Sequence, residues 1–389
     1  MSEPTATWSF PTTIRFGAGR RRELAEACRG AGMTTPLVVT DAGLAEHAIP
    51  HELLAILRGE GLAAGLFAGV KGNPTSANVD EGVAALRAGG HDGVVAVGGG
   101  SAMDAGKAIA FMTAQTLPME TFEDIGDNWK QADHAGILPS IALPTTAGTG
   151  SEVGRASVIH VAAVARKVVV FHPGILPKQV IADPELTTGL PAWVTAATGM
   201  DALAHCLEAY CAPNFHPMAK GIAVEGTRRI HRSLVRAYRD GSDLDARSDM
   251  LAAAMMGCVA FQKGLGGIHA MSHPVGSLYD THHGLTNAVV MPYVLAFNRS
   301  VVEPDLGRLA GYLELPDASF QAIMDWVVDL RREFHIPATL AELGVATDRL
   351  DEMAAMGEID PTATGNPIPL TRDNLRPLFQ NAISGKMPA

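Results

Sequence analysis

Cysteine is scarce in this sequence, and its scarcity narrows the classes of protein that the chain can encode. Four cysteines occur among 389 residues, and no two of them form a CxxC pair. Four are too few for a disulfide scaffold in a chain of this length, and their spacing does not match a zinc finger. A reducing compartment fits this usage, so we expect a cytoplasmic protein.

Long apolar runs and an excess of basic residues are also missing. No apolar stretch reaches the roughly 18 residues that a spanning helix needs, and the first residues lack the charged and apolar regions of a secretion signal. The formal net charge is −11, with 47% hydrophobic and 18% charged residues. Such a composition is typical of a globular chain, whereas nucleic acids and anionic membranes bind basic surfaces. We therefore expect neither nucleic acid nor a membrane as partner.

The hydrophobic pattern changes character near residue 188. Before this point, short β-branched runs such as LVVT and GVVAV alternate with helical periodicity, which predicts a parallel sheet covered by helices. From about residue 191 nearly all patterns are helical. The sequence therefore predicts an α/β domain over residues 1–187 and an all-α domain over residues 188–389. The predicted strands include residues 37–40, 93–97, 137–146 and 167–171, and the predicted C-terminal helices span residues 191–211, 215–239, 244–263, 265–277, 285–298 and 318–335.

A predicted strand, a glycine run and a predicted helix follow one another in GVVAVGGGSAMDAGKAIAFM. Gly98, Gly99 and Gly100 would let a phosphate approach the backbone, and a helix N-terminus offers unpaired N–H groups to an anion. Ser101 is the predicted cap of this helix, and Asp104 stands at the capping-box position. The run lacks the third glycine of the usual dinucleotide fingerprint. A tight turn is the alternative, although three glycines exceed what a turn needs.

Three other segments of the first half offer groups that could bind a dinucleotide. The loop PTTAGTGSE carries the hydroxyls of Thr145, Thr146 and Thr149. The segment KGNPT, which contains Asn73, ends a strand-like stretch with turn-forming residues. Asp41 ends the LVVT strand, where a carboxylate can accept both ribose hydroxyls of adenosine and repels a 2′-phosphate. A turn or helix-cap role is the alternative for Asp41.

The second half carries an unusual cluster of histidines beside an aspartate. Asp201 and His205 lie four positions apart in GMDALAHCLEAY, so they share one helix face among apolar neighbours. One carboxylate with two or three imidazoles is a ligand set for Fe²⁺ or Zn²⁺ with open positions. A single histidine is more often a satisfied core or surface residue, but dense grouping favours a metal site. The histidines that follow are His269, His273, His282 and His283.

These motifs together resemble the iron-containing (group III) alcohol dehydrogenase family along nearly the whole chain. The resemblance rests on GGGSAMDAGKAIA, PTTAGTGSEV, GMDALAHCLEAY and HAMSHPVGSLYDTHHGLTNAVVMPYVLAFN, in that order. It implies an α/β dinucleotide-binding domain, a helical domain, and an active site in the cleft between them. It also implies NAD(H)-linked hydride transfer between a small primary alcohol and its aldehyde. The implied metal is Fe²⁺, with Zn²⁺ as the alternative, and the implied assembly is a homodimer.

The resemblance also implies roles for single residues. His273 matches a histidine that contacts cofactor or substrate, and it is the candidate catalytic residue, whereas His282 falls outside the metal shell. The implied metal ligands are Asp201, His205, His269 and His283. The candidate cofactor-binding residues are Asp41, Asn73, Gly98, Gly99, Gly100, Ser101, Asp104, Thr145, Thr146 and Thr149.

One segment departs from the family pattern. Relatives active on plain diols commonly carry Phe-Ser-Asn or Phe-Asn-Asn where this chain has Phe261, Gln262 and Lys263. Phe261 and Lys263 are therefore candidate substrate residues, and Lys263 could hold the anionic tail of an ω-hydroxy acid. A surface lysine with a solvated ammonium is the alternative. The sequence also leaves open a zinc polyol dehydrogenase and a dehydroquinate synthase-like lyase, of which the lyase would need a glutamate ligand and several basic residues.

Overall fold

The computed structural model describes residues 8–388, which form two compact units. One unit comprises residues 10–189, and the other comprises residues 190–388 together with Trp8 and Ser9. The hydrophobic pattern placed residues 1–187 together, but Ser9 belongs with the helical unit. Its main-chain N–H donates to Gln262 Oε1 over 2.9 Å, and its carbonyl accepts from Gln262 Nε2 over 2.7 Å. Residues 1–7 of that predicted domain lie outside the described residues.

A six-stranded parallel sheet forms the centre of the first unit. Its strands are β1 (Thr13–Phe16), β2 (Pro36–Asp41), β3 (Gly65–Val70), β4 (Gly93–Gly98), β5 (Ser140–Pro144) and β8 (Gln179–Ala182), in the order β1-β8-β5-β4-β2-β3. The helices of this unit are α1 (Leu24–Gly30), α2 (Ala48–Gly59), α3 (Ser76–Ala88) and α4 (Gly100–Met112). Every residue of β4 and β5 is buried, which explains their apolar composition.

The segment predicted as a strand over residues 167–171 does form a strand, but outside the parallel sheet. It belongs to β7 (Arg166–Phe171), which pairs antiparallel with β6 (Ala156–Val161) in a separate two-stranded sheet. Buried and partly exposed residues alternate along β6. Such alternation is typical of a ribbon with one covered face, whereas the parallel sheet is covered on both faces.

The second unit is helical. Its helices are α5 (Ala192–Cys211), α6 (Pro217–Arg239), α7 (Leu244–Ala260), α8 (Gly267–Tyr279), α9 (His283–Tyr312), α10 (Phe320–Glu333), α11 (Leu350–Glu358) and α12 (Arg372–Ser384). A short 3₁₀ turn, Phe261–Lys263, links α7 to the segment before α8. The helix predicted over residues 285–298 continues to Tyr312, although Pro292 and Pro304 lie inside it. Interior prolines usually end or kink a helix, but α9 contains both of them without ending.

Two further features bear on the expectations about membranes and disulfides. Within residues 8–388, no individual helix combines the length and apolar character needed to cross a membrane. One pair, Leu244–Lys263 with Gly267–Tyr279, passes by length and composition only when taken together, and it is bent by 107°. The four cysteines all lie in this part of the chain, and none forms a disulfide.

Candidate active site

Helix α5 supplies the first two candidate metal ligands. Asp201 and His205 lie one turn apart on this helix, and their residues are 2% and 4% exposed. Almost the whole of α5 from Thr195 onward is buried, so a carboxylate there has lost its water. Such a group is stable only with hydrogen-bond donors or a cation beside it.

Helices α8 and α9 bring the other histidines to the same place. His269 and His273 lie four positions apart on α8, and His283 is the first residue of α9. Gly284 permits the close approach of α9 to α5, because a Cβ there would lie 2.3 Å from the carbonyl oxygen of Ala197. As a result, Nε2 of His283 lies 3.5 Å from Oδ1 of Asp201.

The ligand atoms converge on one point. One atom each from Asp201, His205 and His269 lies within 4.8 Å of the others. His283 lies outside this trio, but its ring centroid is 5.3 Å from that of His269. A buried carboxylate and several imidazoles are the donors that first-row divalent metals prefer, so these residues fit the metal that the family resemblance implied.

Asn287 is a further residue of this cluster, and the sequence pattern did not predict it. Its Nδ2 lies 2.7 Å from Oδ1 of Asp201, 3.1 Å from Nε2 of His283 and 3.3 Å from Nε2 of His269. Two ring nitrogens and one carboxylate oxygen thus lie within hydrogen-bond distance of one NH₂ group, and the oxygen, which belongs to Asp201, can only accept. The spacing of four from His283 on α9 is the only sequence signal that could have identified it.

Two carboxylates behind the histidines were also missed. Oε2 of Glu208 lies 2.5 Å from Nδ1 of His269, and Oδ2 of Asp360 lies 2.8 Å from Nδ1 of His273. Burial opposes the charged form of His269, but the carboxylates of Glu208, Asp201 and Asp360 together outweigh burial and raise the pKa of this histidine, with Glu208 contributing most. Burial likewise disfavours ionisation of Asp360, yet His273 and Thr362 outweigh burial and lower the pKa of this carboxyl.

His282 lies beside the cluster and has other contacts. Its ring meets the indole of Trp193 edge-on, with centroids 5.5 Å apart. Its Nδ1 accepts a long hydrogen bond of 3.4 Å from the N–H of Leu285, so it caps α9. These contacts account for His282 without a metal.

The residues at 261–263, which differ from the family pattern, make contacts within the protein. Phe261 lies against the site, with its ring centroid 5.4 Å from that of His205. Gln262 binds the main chain of Ser9, as described above. The ammonium of Lys263 donates to the carbonyl oxygens of Tyr210 and Ala212 at the end of α5, and the residue is only 4% exposed.

The sequence suggested that Lys263 either binds an anionic substrate tail or lies at the surface, and its surroundings match neither interpretation. Its ammonium is occupied by main-chain carbonyls, so it is not available for an anionic substrate tail, and it does not reach bulk water. The reason is local: the last carbonyls of a helix lack intrahelical partners, and a buried lysine satisfies them here.

We predict that Lys263 affects stability with a defined pH dependence. Burial lowers the pKa of Lys263 from 10.5 to about 8. Between these values the unfolded chain binds more protons than the folded chain, so the stability of the wild type should rise with pH relative to Lys263→Met. Urea unfolding of both proteins from about pH 7 to about pH 10 measures this difference, with Lys130→Met as the exposed control. If the difference in unfolding free energy between the wild type and Lys263→Met did not change with pH, the buried role of Lys263 would be contradicted. It would also be contradicted if Lys263→Met lost activity on 4-hydroxybutyrate but not on butanol.

In the first unit, the glycine run lies at the carboxyl ends of two neighbouring strands. Gly98 ends β4 with φ of 141°, and a Cβ there would lie 2.7 Å from the Cβ of Ala102. Gly99 precedes α4 and Gly100 is its first residue. Gly98 also pairs with Pro144 at the end of β5, and its carbonyl accepts from the N–H of Thr145. The glycine run therefore begins a helix at the carboxyl ends of the strands, where an anion can bind.

The loop after β5 packs directly on this turn. A Cβ on Gly99 would lie 3.3 Å from Oγ1 of Thr146, and one on Gly100 would lie 2.6 Å from Cγ2 of Thr149. The glycines are thus required by loop packing as well as by any phosphate. Thr145 itself is buried.

Asp41 lies beside the same turn. Its Oδ1 accepts from the N–H of Leu44 over 2.9 Å, and its Oδ2 is 3.0 Å from the position that a Cβ on Gly98 would take. Asp41 therefore stabilises the turn that follows β2 and also lies next to the glycine run. Asn73 lies in the segment between β3 and α3. Its Oδ1 accepts from the ammonium of Lys167 over 3.2 Å.

The predicted capping box at the start of α4 is wrong. Gly99 is the capping residue, and no side chain caps this helix. Ser101 donates instead to the carbonyl of Gly72. Asp104 accepts from Ser151 Oγ over 2.5 Å and from the N–H of Val158 over 2.9 Å, so each of its oxygens has a partner within the protein.

Comparison with known proteins places these features in a family. Residues 11–184 match the family described as iron-containing alcohol dehydrogenase, and residues 195–383 match the C-terminal family of Fe-containing alcohol dehydrogenases. A 4-hydroxybutyrate dehydrogenase of Cupriavidus necator is 40% identical over 386 residues, covering 96% of this chain and 99% of that protein.

Solved structures agree with this result. A 1,3-propanediol oxidoreductase superposes with a TM-score of 0.90 at 32% identity, covering 97% of this chain and 100% of that one. A sulfoacetaldehyde reductase from Bifidobacterium kashiwanohense in complex with NAD⁺ superposes with a TM-score of 0.87 at 27% identity, covering 98% and 99%.

The first unit is a parallel α/β fold with a glycine turn at the start of a helix, and the helical unit contains a buried carboxylate–histidine cluster. Together these features define a metal-dependent dehydrogenase linked to a dinucleotide. The chain belongs to the iron-containing alcohol dehydrogenase family. It is an NAD(H)-linked oxidoreductase that interconverts an alcohol and its aldehyde. The fold class predicted from the sequence is confirmed.

Proposed function

We propose that this enzyme oxidises a small primary alcohol, or reduces its aldehyde, at a divalent metal held by Asp201, His205, His269 and His283. The observation that carries the proposal is the convergence of buried carboxylate and imidazole atoms within 4.8 Å. Iron is the proposed native metal, since the family is iron-containing, and zinc is the alternative. When bound, the metal supplies Lewis-acid polarisation of the substrate oxygen.

The residues around this site have separable tasks. Asp201 contributes the negative charge, and His205 and His269 present nearly parallel rings with centroids 4.6 Å apart. Phe261 lies against His205, with ring centroids 5.4 Å apart. His273 stacks on His283, with centroids 5.5 Å apart, and Asp360 holds its Nδ1. We assign to His273 the transfer of the substrate proton through its other ring nitrogen.

The dinucleotide is proposed to bind at the edge of the parallel sheet. The N-terminus of α4 would hold the pyrophosphate at Gly98, Gly99, Gly100 and Ser101, because its first N–H groups lack helical partners. Thr145, Thr146 and Thr149 lie in the loop that packs on this turn. Asp41 would accept the hydroxyls of the adenosine ribose.

Cofactor choice should follow the charge of Asp41. A carboxylate next to a 2′-phosphate costs roughly 1–4 kcal/mol, so we expect NAD(H) to be preferred over NADP(H) by about tenfold or more. Asp41→Gly should narrow this preference. Asp41→Asn is the sharper variant, since its amide oxygen can still accept from Leu44 while the charge is gone. Steady-state kcat/KM with both cofactors measures the ratio, and equal use of NADP(H) by the wild type would remove Asp41 from the ribose site.

Compartment and assembly belong to the same proposal. We propose a cytoplasmic homodimer whose partner is a small alcohol or aldehyde. The low cysteine content and the lack of a CxxC pair support a reducing compartment. Size-exclusion chromatography with light scattering tests the assembly.

The other functions are less well supported. A dehydroquinate synthase-like lyase would need a glutamate ligand, but Glu208 contacts His269 Nδ1 and a main-chain N–H. A zinc polyol dehydrogenase would use a similar site, and metal analysis with a polyol assay separates it. The Cupriavidus necator relative makes an ω-hydroxy acid the substrate variant to test, although Lys263 is not the residue that would bind it.

One experiment tests the proposed function as a whole. The protein is purified without oxygen, its metal content is measured, and NADH formation is followed with butanol, 1,3-propanediol, glycerol and 4-hydroxybutyrate. We expect bound iron and NAD-dependent oxidation of at least one primary alcohol. Absence of a stoichiometric divalent metal from active protein would contradict the proposed site.

A further inference from the structure

Glu208 lies behind the metal site and connects two of its helices. It is on α5, three residues after His205, and is 7% exposed. Its Oε1 accepts from the N–H of Ile268 over 2.6 Å, and its Oε2 lies 2.5 Å from Nδ1 of His269. We propose that Glu208 is a positioning residue that fixes the tautomer of His269 and thereby sets the metal affinity of the site. This inference rests on the proposed metal role of His269.

The direction of the hydrogen bond follows from the chemistry of the partners. An ionised carboxylate has no proton to donate, so Nδ1 of His269 must be the donor. In the neutral imidazole, which is the form that binds a metal, the proton then resides on Nδ1, and Nε2 keeps the lone pair that a metal needs.

Asn287 provides independent support for this tautomer. Its Nδ2 lies 2.7 Å from Oδ1 of Asp201, an acceptor, so the amide is oriented with its N–H groups toward the cluster. The same nitrogen lies 3.3 Å from Nε2 of His269. Because that amide nitrogen can only donate, a hydrogen bond over this contact requires Nε2 of His269 to accept, which is the role that the Nδ1–H tautomer gives it.

Glu208 also fixes the start of α8. Gly266, which precedes the helix, has no side chain to cap it. The first two N–H groups are satisfied from elsewhere: Gly267 donates to Oδ1 of Asn366 over 3.0 Å, and Ile268 donates to Glu208. A carboxylate at a helix N-terminus is stabilised by the helix dipole. One side chain therefore sets both the position of α8 and the orientation of its first histidine.

Glu208→Gln is the variant that separates these two tasks. Glutamine keeps the size of the side chain, and its amide oxygen can still accept from Ile268. Its NH₂ group would then face Nδ1 of His269 and favour the tautomer with the proton on Nε2. Loss of a ligand's hydrogen-bond partner typically weakens metal binding by about 10–100-fold, and we expect a loss in this range.

The test uses the full-length protein stripped of metal. Zn²⁺ affinity is measured by competition with a chromogenic chelator for the wild type and for three variants: Glu208→Gln, Asn366→Ala and His269→Ala. Asn366→Ala removes the other cap of α8 without touching His269, so it should lower the melting temperature but weaken Zn²⁺ binding less than Glu208→Gln. Nitrogen-15 NMR of histidine-labelled protein reads the tautomer directly, and the proton of His269 should move from Nδ1 to Nε2 in Glu208→Gln.

The outcomes are distinct. Wild-type affinity in Glu208→Gln, or an unchanged tautomer, would overturn the inference. Equal losses of affinity in Glu208→Gln and Asn366→Ala would also overturn it, because the helix start alone would then be responsible. Wild-type affinity in His269→Ala would refute the proposed metal site itself, which is a different result.

Discussion

Replacing His283 with alanine should remove the metal and the activity together while the fold remains intact. His283 begins α9, its side chain is 27% exposed, and alanine is a good helix former, so the cost to folding is small. Nε2 of His283 lies 3.5 Å from the carboxylate of Asp201, so the substitution removes one of the four proposed metal ligands. Lewis-acid assistance is worth several kcal/mol, so kcat/KM should fall by roughly 10³-fold or more.

The neighbouring histidine provides a matched control for this variant. His282 precedes the same helix and contacts Trp193 instead of the cluster. His282→Ala should therefore retain metal and most of the activity. Metal analysis, circular dichroism and steady-state kinetics on both variants measure the contrast. Full metal occupancy in His283→Ala would exclude His283 as a ligand. Equal metal loss in both variants would show that the effect comes from disturbing the start of α9.

The sequence predicted those parts of the molecule that depend on short spacings. The i, i+4 separation places Asp201 beside His205 on any helix, and periodicity alone identified α5, α6 and α7. The strand–glycine–helix order likewise placed Gly98 at the carboxyl end of β4. These features follow from local geometry, which a sequence displays directly.

Partners that lie far apart in the sequence were not predictable in this way. Glu208 contacts a histidine 61 positions away, and Asp360 contacts one 87 positions away. A glutamate in a helix or an aspartate in a loop usually faces solvent. Only the packing of α8 against its neighbours shows that these two carboxylates hold imidazoles.

Two charged side chains have local partners that the sequence does not display. Asp104 and Lys263 carry charges that the sequence displays, but the donors and acceptors that occupy them are mainly backbone groups and hydroxyls. A sequence does not show which helix ends or strand edges lack partners. Charged residues near a motif are therefore poor evidence for ligand binding unless their local partners are known.

Asp360→Asn should slow catalysis by roughly 10²-fold, the lower end of what a positioned general base contributes. Oδ1 of Asp360 accepts from the N–H and the hydroxyl of Thr362, which leaves Oδ2 to accept from Nδ1 of His273 over 2.8 Å. In this arrangement, Nε2 of His273 keeps a lone pair and can take the alcohol proton. An asparagine would keep the Thr362 contacts with its oxygen and turn its NH₂ group toward His273, so the proton would shift to Nε2.

A double-mutant cycle distinguishes this role from general loss of structure. His273→Ala sets the full contribution of the histidine, and adding Asp360→Asn to it should cost little more if Asp360 acts through His273. Thr362→Val breaks only the hydroxyl contact of Asp360 and serves as the control, with kcat close to that of the wild type. The measurements are kcat for butanol oxidation across pH and the metal content of each variant. Wild-type kcat in Asp360→Asn, or a fully additive loss in the double variant, would show that His273 does not depend on Asp360, because two residues that act through one imidazole cannot contribute independently.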